Sequence, residues 1–311
     1  MAAIGIVVVT YNSNAVIGAC LDAALRSGAE IVVVDNASAD GTREEVRRRG
    51  VRLIANSSNL GFAAAVNQGF RVLHCPFILL LNPDAVVGTS LEPLRQACEL
   101  PCSAGAGGML LDPEGNPQIG FMARRLPTPS ALILEVLLVN RFWPGNPVNR
   151  NYRCLELDYS RQQPIEQPAG AFLMIRRTVW EELGGLDERF WPLWFEDVDF
   201  CRRARDHGYS FYFAPSVVAV HTGAHSIPSL NVEIRRVYWY RSLLSYCARH
   251  FDPAGERAVS LAVVIGSLIR APLEVALNRS LRPLRAYWEV VRLAGGCLLG
   301  SPRDQRRYQG R

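Results

Sequence analysis

Short apolar runs alternate with amphipathic stretches through the first third of the chain. Residues 4–9 read as a buried strand, and a helical pattern over 14–27 follows, stopped by Gly28. Residues 31–34 form a second strand that ends in Asp35 and Asn36. Asp40, Gly41 and Thr42 open a charged helix that Gly50 closes, and 51–55 make a third strand. Residues 62–73 are helical, and 77–81 form a fourth strand ending in Asn82, Pro83 and Asp84. This alternation predicts an α/β protein with a mainly parallel central sheet covered by helices. Ligands of such sheets collect at the carboxyl ends of the strands. The polar clusters Thr10–Tyr11–Asn12, Asp35–Asn36 and Asn82–Pro83–Asp84 all fall there.

The pattern then loosens. Residues 112–117 are rich in turn formers, and 126–147 carry four prolines around the apolar run 131–139 and the pair Phe142 and Trp143. That segment suits a loop, a surface helix or part of an acceptor site. Residues 172–175 read as a strand, 196–207 as a helix stopped by Gly208, and 211–213 and 217–220 as short strands, the last delivering His221. Apolar helical patterns return over about 234–250, 258–271 and 284–299. Residues 235–311 hold 14 arginines against five acids, a net of +9, which leaves residues 1–234 at −4. The division predicted is a catalytic domain over 1–233 and a basic, amphipathic helical region over 234–311. Such a region suits a membrane surface. No nucleic-acid-binding module is present.

Composition narrows the chemistry. All 34 basic residues are arginine. Without lysine, Walker-type phosphate loops, protein-kinase chemistry and Schiff-base catalysis are excluded. The eight cysteines are scattered with no CxxC pair, which predicts free thiols in a reducing compartment. The first residues lack a secretory pattern, and no apolar stretch is expected to reach the ~20 residues of a spanning helix. The expected location is cytoplasmic and peripheral to the membrane. There is no G-x-G-x-x-G, no G-x-S-x-G and no H-E-x-x-H.

Carboxylates carry what remains. Asp84 ends a buried strand behind a proline, a fixed position for holding a divalent cation and equally a common turn former. Asp35 reads either as a hydrogen-bond acceptor for a base or sugar, or as an Asx turn. Glu196, Asp197 and Asp199 stand within four positions, flanked by Trp191 and Trp194. Glu196 and Asp199 share a helix face, and acids in a first turn also suit the helix dipole. Repulsion and aromatic burial raise at least one carboxylate pKa in such a cluster, as a general base requires. His221 and His225 lack a nearby third zinc ligand. His221 at a strand end instead completes a metal shell begun by Asp84, with a chelated diphosphate supplying oxygens to Mg²⁺ or Mn²⁺.

Seven stretches together resemble glycosyltransferase family 2, on the GT-A (nucleotide-diphospho-sugar transferase) fold. They are residues 7–13, 33–42, Asn59–Leu60–Gly61–Phe62–Ala63 with Asn67 and Gly69, 81–84, 170–176, 195–199, and His221 with Gly223 and Ser226. The nearest subgroup is the bacterial rhamnosyltransferase-like enzymes. The resemblance implies that Thr10, Tyr11 and Asn12 line a nucleotide pocket and that Asp35 bonds the base. It places Asn59, Gly61 and Asn67 near the nucleotide and sugar. Asp84 stands at the last acid of the family's D-x-D metal motif, with Asn82 in place of the first, and His221 becomes the second protein ligand. Asp197 becomes the catalytic base, with Glu196, Asp199 and Trp194 orienting the acceptor or the local helix. The implied reaction is an inverting transfer from a dTDP-rhamnose or UDP-sugar donor to a lipid-linked or glycan acceptor in cell-surface polysaccharide synthesis. A sugar-nucleotide nucleotidyltransferase and a non-catalytic glycan-binding scaffold are the competing readings. The first normally needs a glycine-rich loop and lysines; the second leaves Asp84, Asp197 and His221 without purpose.

Overall fold

The computed structural model describes residues 3–223 and 231–299. His225 and Ser226 lie outside the described residues. In chain order the elements are β1 (Ile4–Thr10), α1 (Asn14–Leu25), β2 (Glu30–Asp35), α2 (Thr42–Arg48), β3 (Arg52–Ala55), α3 (Phe62–Val72), β4 (Phe77–Leu81), β5 (Ala85–Val87), α4 (Glu92–Cys98), β6 (Ser103–Leu111) and β7 (Ala123–Arg124). Then come α5 (Pro129–Val136), α6 (Val139–Phe142), α7 (Pro147–Tyr152), β8 (Gln163–Ile165), β9 (Gln167–Pro168), β10 (Phe172–Arg176), α8 (Arg177–Leu183), α9 (Glu196–Asp206) and β11 (Ser210–His221). Three long helices follow: α10 (Val232–His250), α11 (Pro253–Asn278) and α12 (Arg282–Leu298).

The chain divides into two compact units: Met1–Leu126 with Asn151–Leu230, and Pro127–Arg150 with Asn231–Arg311. The first carries a nine-stranded sheet of order β3-β2-β1-β4-β10-β6-β11-β5, with β8 on β11. The half β3-β2-β1-β4 is parallel throughout, built from the strands whose apolar runs were legible. In the other half β10 runs antiparallel between β4 and β6, while β11 runs parallel to β6. β6 was not expected, because its Ser-Ala-Gly-Ala-Gly-Gly start carries no β-formers. Those glycines are steric necessities: a Cβ at Gly105 would collide with the Met174 carbonyl oxygen of β10. The two short strands expected over 211–220 are one strand, β11, with a register shift between Ala214 and Val218. All eight cysteines are free.

The second unit is helical. It takes in Pro127–Arg150, which the sequence division at 233 had assigned to the catalytic part. The apolar run 131–139 supplies α5, which packs against α11; α11 in turn packs against α12 and α10. Phe142 and Trp143 are exposed. Asp252 caps α11 by accepting from the Gly255 N–H, with Pro253 pre-set at the first turn. The helix continues through Pro272 to Asn278, beyond the stop expected near Ala271, so Pro253–Leu277 is long and apolar enough to cross a membrane by length and composition. This corrects the expectation that no stretch reaches that length. Pro272 is exposed inside that helix, where it supplies no N–H for the carbonyl of Leu268.

Candidate active site

Thr10 and Asp35 close neighbouring parallel strands in register, and Thr10 Oγ1 donates to Asp35 Oδ1 at 2.9 Å. Asp35 is fully buried. Its Oδ2 accepts from the Ser38 N–H at 3.0 Å and from Arg43 Nε at 2.6 Å, and the Ser38 hydroxyl donates to Oδ1. A carboxylate offers about four acceptor positions, and four protein donors fill them here. A base reaching this corner contacts Asp35 only if Ser38 or Arg43 gives way. Arg43, which the sequence reading missed, also donates to the Asn56 carbonyl at 2.9 Å. Asn12 spans the same loop: its N–H donates to Ser38 Oγ and its Oδ1 accepts from the Ala39 N–H. Tyr11 is half-buried beside it.

Behind this corner, Asn36 Nδ2 donates to the Gly61 carbonyl at 3.1 Å, and exposed Asn59 accepts from the Gly61 N–H at 2.9 Å. Asn67 has a different employment. Its Nδ2 donates to the Leu186 carbonyl and to Glu188, and its Oδ1 accepts from the Leu186 N–H, so it ties α3 to the loop after α8.

The second corner joins Asn82, Asp84 and His221. β5 pairs antiparallel with β11, setting His221 opposite Ala85 and bringing together residues over a hundred positions apart. Asp84 and His221 are both buried, and His221 Nε2 lies 3.5 Å from Asp84 Oδ1 and 3.5 Å from Asn82 Nδ2. Gln118 sets the ring. Its Nε2 donates to the His221 carbonyl at 2.7 Å, which turns Oε1 toward Nδ1 at 3.1 Å. Oε1 only accepts, so Nδ1 carries a proton, and a metal-binding ring therefore offers the lone pair of Nε2, on the side that faces Asp84. A lone pair facing a carboxylate oxygen invites a positive charge between them. The 3.5 Å separation is within reach of one divalent ion at coordination distances of about 2.1 Å. One carboxylate and one imidazole held from behind therefore fit Mn²⁺ or Mg²⁺, with the remaining positions open to a ligand. Among the described residues, no three of His, Cys, Asp and Glu are grouped so that they could hold a metal ion by themselves.

The acidic cluster forms the third corner. Trp194 and Phe195 both take left-handed backbone conformations, φ 76° and 70°, which cost about 1–3 kcal/mol each in non-glycine residues. The turn starts α9 at Glu196, so all three acids lie in its first turn. Asp199 is fully buried, and Arg203 Nε donates to it at 2.7 Å while the same guanidinium bonds the Leu183 and Gly185 carbonyls. Asp199 thus braces α9 against the end of α8.

Asp197 is half-buried. Desolvation raises its pKa above the usual carboxylate value, opposed by the Gly170 and Val198 N–H groups, which donate to it at 3.0 and 2.8 Å, and by the charge of Arg124. A Cβ at Gly170 would stand 2.9 Å from Asp197 Oδ2, so glycine is what lets the backbone reach the carboxylate. Glu196 is buried, and its Oε2 has no hydrogen-bond partner among the described residues. Burial, then the charges of Asp197 and Asp199, push its pKa well above the usual value.

That shift has a measurable sign. Folded Glu196 holds its proton more tightly than the unfolded chain does, so its contribution to stability falls as pH rises above the ordinary Glu value of about 4.3. Glu196→Gln removes the titration. Its melting midpoint is expected to match the wild type near pH 4 and to exceed it by a few degrees at pH 8; a gap that does not widen with pH refutes this account.

One segment touches two corners. Phe121 stacks on the His221 ring with centroids 5.4 Å apart, and the Arg124 guanidinium sits 5.9 Å from the Phe121 ring while its charge acts on Asp197. Gln118, Phe121 and Arg124 lie in a turn-rich stretch with no periodicity, and the sequence held no signal for them.

The sheet and its strand-end site define a GT-A-like α/β protein. Residues 5–184 match the family described as Glycosyl transferase family 2, and 148–242 match Glycosyltransferase like family 2. N-acetylglucosaminyl-diphospho-decaprenol L-rhamnosyltransferase of Mycobacterium tuberculosis is 31% identical over 239 residues, 71% of this chain and 76% of that protein. Rhamnosyltransferase WbbL of Escherichia coli is 24% identical over 209 residues, 64% of this chain and 72% of that one. A mannosyltransferase from Pyrobaculum calidifontis, solved with GDP-Man and Mn²⁺, shares the fold at a TM-score of 0.53 and 18% identity, covering 97% of this chain and 88% of that one. The chain belongs to glycosyltransferase family 2.

Proposed function

We propose that this glycosyltransferase moves rhamnose from dTDP-rhamnose to a hydroxyl of a lipid-linked glycan, with inversion, at the cytoplasmic membrane face during cell-surface polysaccharide synthesis. UDP-linked hexoses and UDP-galactofuranose are the next donors in order. The observation that carries the reading is the buried Asp84–His221 pair, set 3.5 Å apart and aligned by Gln118. Rhamnose and the diphosphate-lipid acceptor are supported by the Mycobacterium tuberculosis relative, whose name carries both.

Thr10, Tyr11, Asn12 and the Asp35 loop shape the nucleotide corner, with Asn59, Gly61 and Asn82 between it and the sugar. Asn67 acts from behind, by fixing the loop after α8. Asp84 and His221 hold a Mg²⁺ or Mn²⁺ ion, which when bound neutralises charge on the departing diphosphate. Asp197 removes the proton from the acceptor hydroxyl as that oxygen attacks the anomeric carbon opposite the leaving group. One displacement inverts the centre and needs no covalent intermediate. The two backbone N–H groups at Asp197 keep its carboxylate aimed, and Arg124 limits how far its pKa climbs. Trp194, half-buried beside the base, offers a face for a sugar ring.

Calorimetric titration with dTDP-rhamnose, UDP-galactose, UDP-N-acetylglucosamine and GDP-mannose, each with and without Mn²⁺, tests this. Metal-dependent binding of dTDP-rhamnose supports it; binding of another donor alone replaces the sugar, and binding of none by folded protein overturns all four donors in favour of an unusual donor or a non-catalytic scaffold. Gln118→Leu gives a finer check. The ring loses its alignment, so Mn²⁺ affinity in the presence of nucleotide is expected to fall about 10–100-fold, read by electron paramagnetic resonance of free Mn²⁺. Unchanged affinity would show that Gln118 is only a loop contact.

A further inference from the structure

The helical unit leaves one face of α11 uncovered. Val259, Val263 and Ala271 are buried within the unit, but Leu261, Ile265, Ile269, Leu273 and Leu277 follow one another at steps of four, all exposed, with exposed Leu268 beside them. Only 33% of the helix's most apolar window is buried. Leu281, Leu284 and Trp288 add exposed apolar groups at the start of α12 and in its second turn. A continuous apolar ridge of this kind marks an interaction surface.

Within α11 and α12 the exposed charges have one sign, the exposed Asp252 standing just before α11 as its N-cap. Arg257, Arg279, Arg282, Arg285 and Arg292 are exposed, whereas none of the three acids of α11 and α12 is. Glu274 pairs with Arg236 at 2.6 Å and accepts from the Tyr287 hydroxyl, and Glu289 pairs with Arg241 at 3.5 Å. A second copy of this face would bring the arginines no exposed acid from α11 or α12. Anionic headgroups supply what they lack, and Trp and Arg at the edge of an apolar ridge are suited to the headgroup level.

The helix is also held against crossing. A Cβ at Gly266 would collide with the Val136 carbonyl oxygen, so α5 lies directly on α11 at its middle. Arg270 donates to the Tyr240 hydroxyl and to the Glu135 carbonyl on the packed side. Spanning would draw α5, α10 and α12, with the arginines of α10 and α12, into hydrocarbon.

We propose that the outer face of α11 and the first turns of α12 form a docking surface for an anionic bilayer, with α11 lying in the membrane plane and Arg279, Arg282 and Arg285 on lipid phosphates. This deepens the membrane placement of the function proposed above and rests on that reading for its purpose; its test does not use the transfer reaction.

The test is flotation of the full chain with phosphatidylcholine vesicles, with and without phosphatidylglycerol, at low and high salt. Binding is expected only to the anionic vesicles and is weakened by salt. Each basic residue near such a surface contributes about fivefold, so Arg279→Gln/Arg282→Gln/Arg285→Gln should lower partitioning about 100-fold. Leu268→Ser/Leu273→Ser/Leu277→Ser should abolish it. All six side chains are exposed, so both variants should keep the wild-type melting midpoint and donor affinity. Equal binding to neutral vesicles, unchanged binding in either variant, resistance to alkaline carbonate extraction, or a lipid-free dimer dissolved by the leucine variant overturns the proposal. Donor calorimetry keeps the two readings apart: normal flotation without donor binding removes the proposed donor and leaves the surface.

Discussion

Asp197→Asn is expected to lower kcat about 10²–10⁴-fold while leaving donor affinity within a small factor of the wild type. The carboxylate is the one member of the acidic cluster that is both partly open and held by two backbone N–H groups; Asp199 is closed by Arg203, and Glu196 is buried. A base must be ionised to work, so wild-type kcat/KM should fall as pH drops through the Asp197 pKa. Desolvation sets that pKa above the ordinary value of about 3.9, so the loss begins at a higher pH than a free carboxyl would produce. Steady-state rates across pH, with calorimetry on the variant, check both parts. Retained turnover in Asp197→Asn would move the base elsewhere.

The second large effect belongs to Asp84→Ala, expected to reduce kcat/KM on the order of 10³-fold and to abolish the metal dependence of donor binding. His221→Ala removes a ligand but leaves the charged one, and its loss should be smaller, about 10–100-fold. The reason is electrostatic. Asp84 brings the negative charge of the pair, whereas the neutral imidazole brings a lone pair fixed by Gln118. The Thr222 N–H bonds the Asp84 main-chain carbonyl at 3.2 Å, so the pairing of β5 with β11 keeps that anchor in the alanine variant. Equal donor affinity with and without Mn²⁺ in the wild type would remove the basis of this prediction.

Most of the parallel half of the sheet was legible because β1, β2 and β4 are runs of Val, Ile and Leu bounded by turn residues, while the edge strand β3 is shorter and part-exposed. Local composition is enough where a strand is buried on both faces. β6 was not legible, since its glycines answer to β10 and β11, which lie far along the chain. The same distinction divides the site. Asp35, Asp84, Asp197 and His221 stand out as acids or a histidine at strand or helix ends. Arg43 and Gln118 do not, because their significance lies wholly in the partners they meet.

Residue type and order along this chain determine its class, its lysine-free chemistry, its parallel strands and the motifs of a glycosyltransferase. Tertiary structure alone decides which polar groups remain available. It fills every acceptor position of Asp35, spends Asn67 and Asp199 on bracing, and leaves Asp197 partly open. It also joins residues 127–150 to the C-terminal helices and leaves one ridge of α11 bare. Saturation and burial depend on how the folded backbone aims each group, even for near neighbours such as Asp35 with Ser38 and Arg43 or Asp199 with Arg203, so residue types alone do not record them.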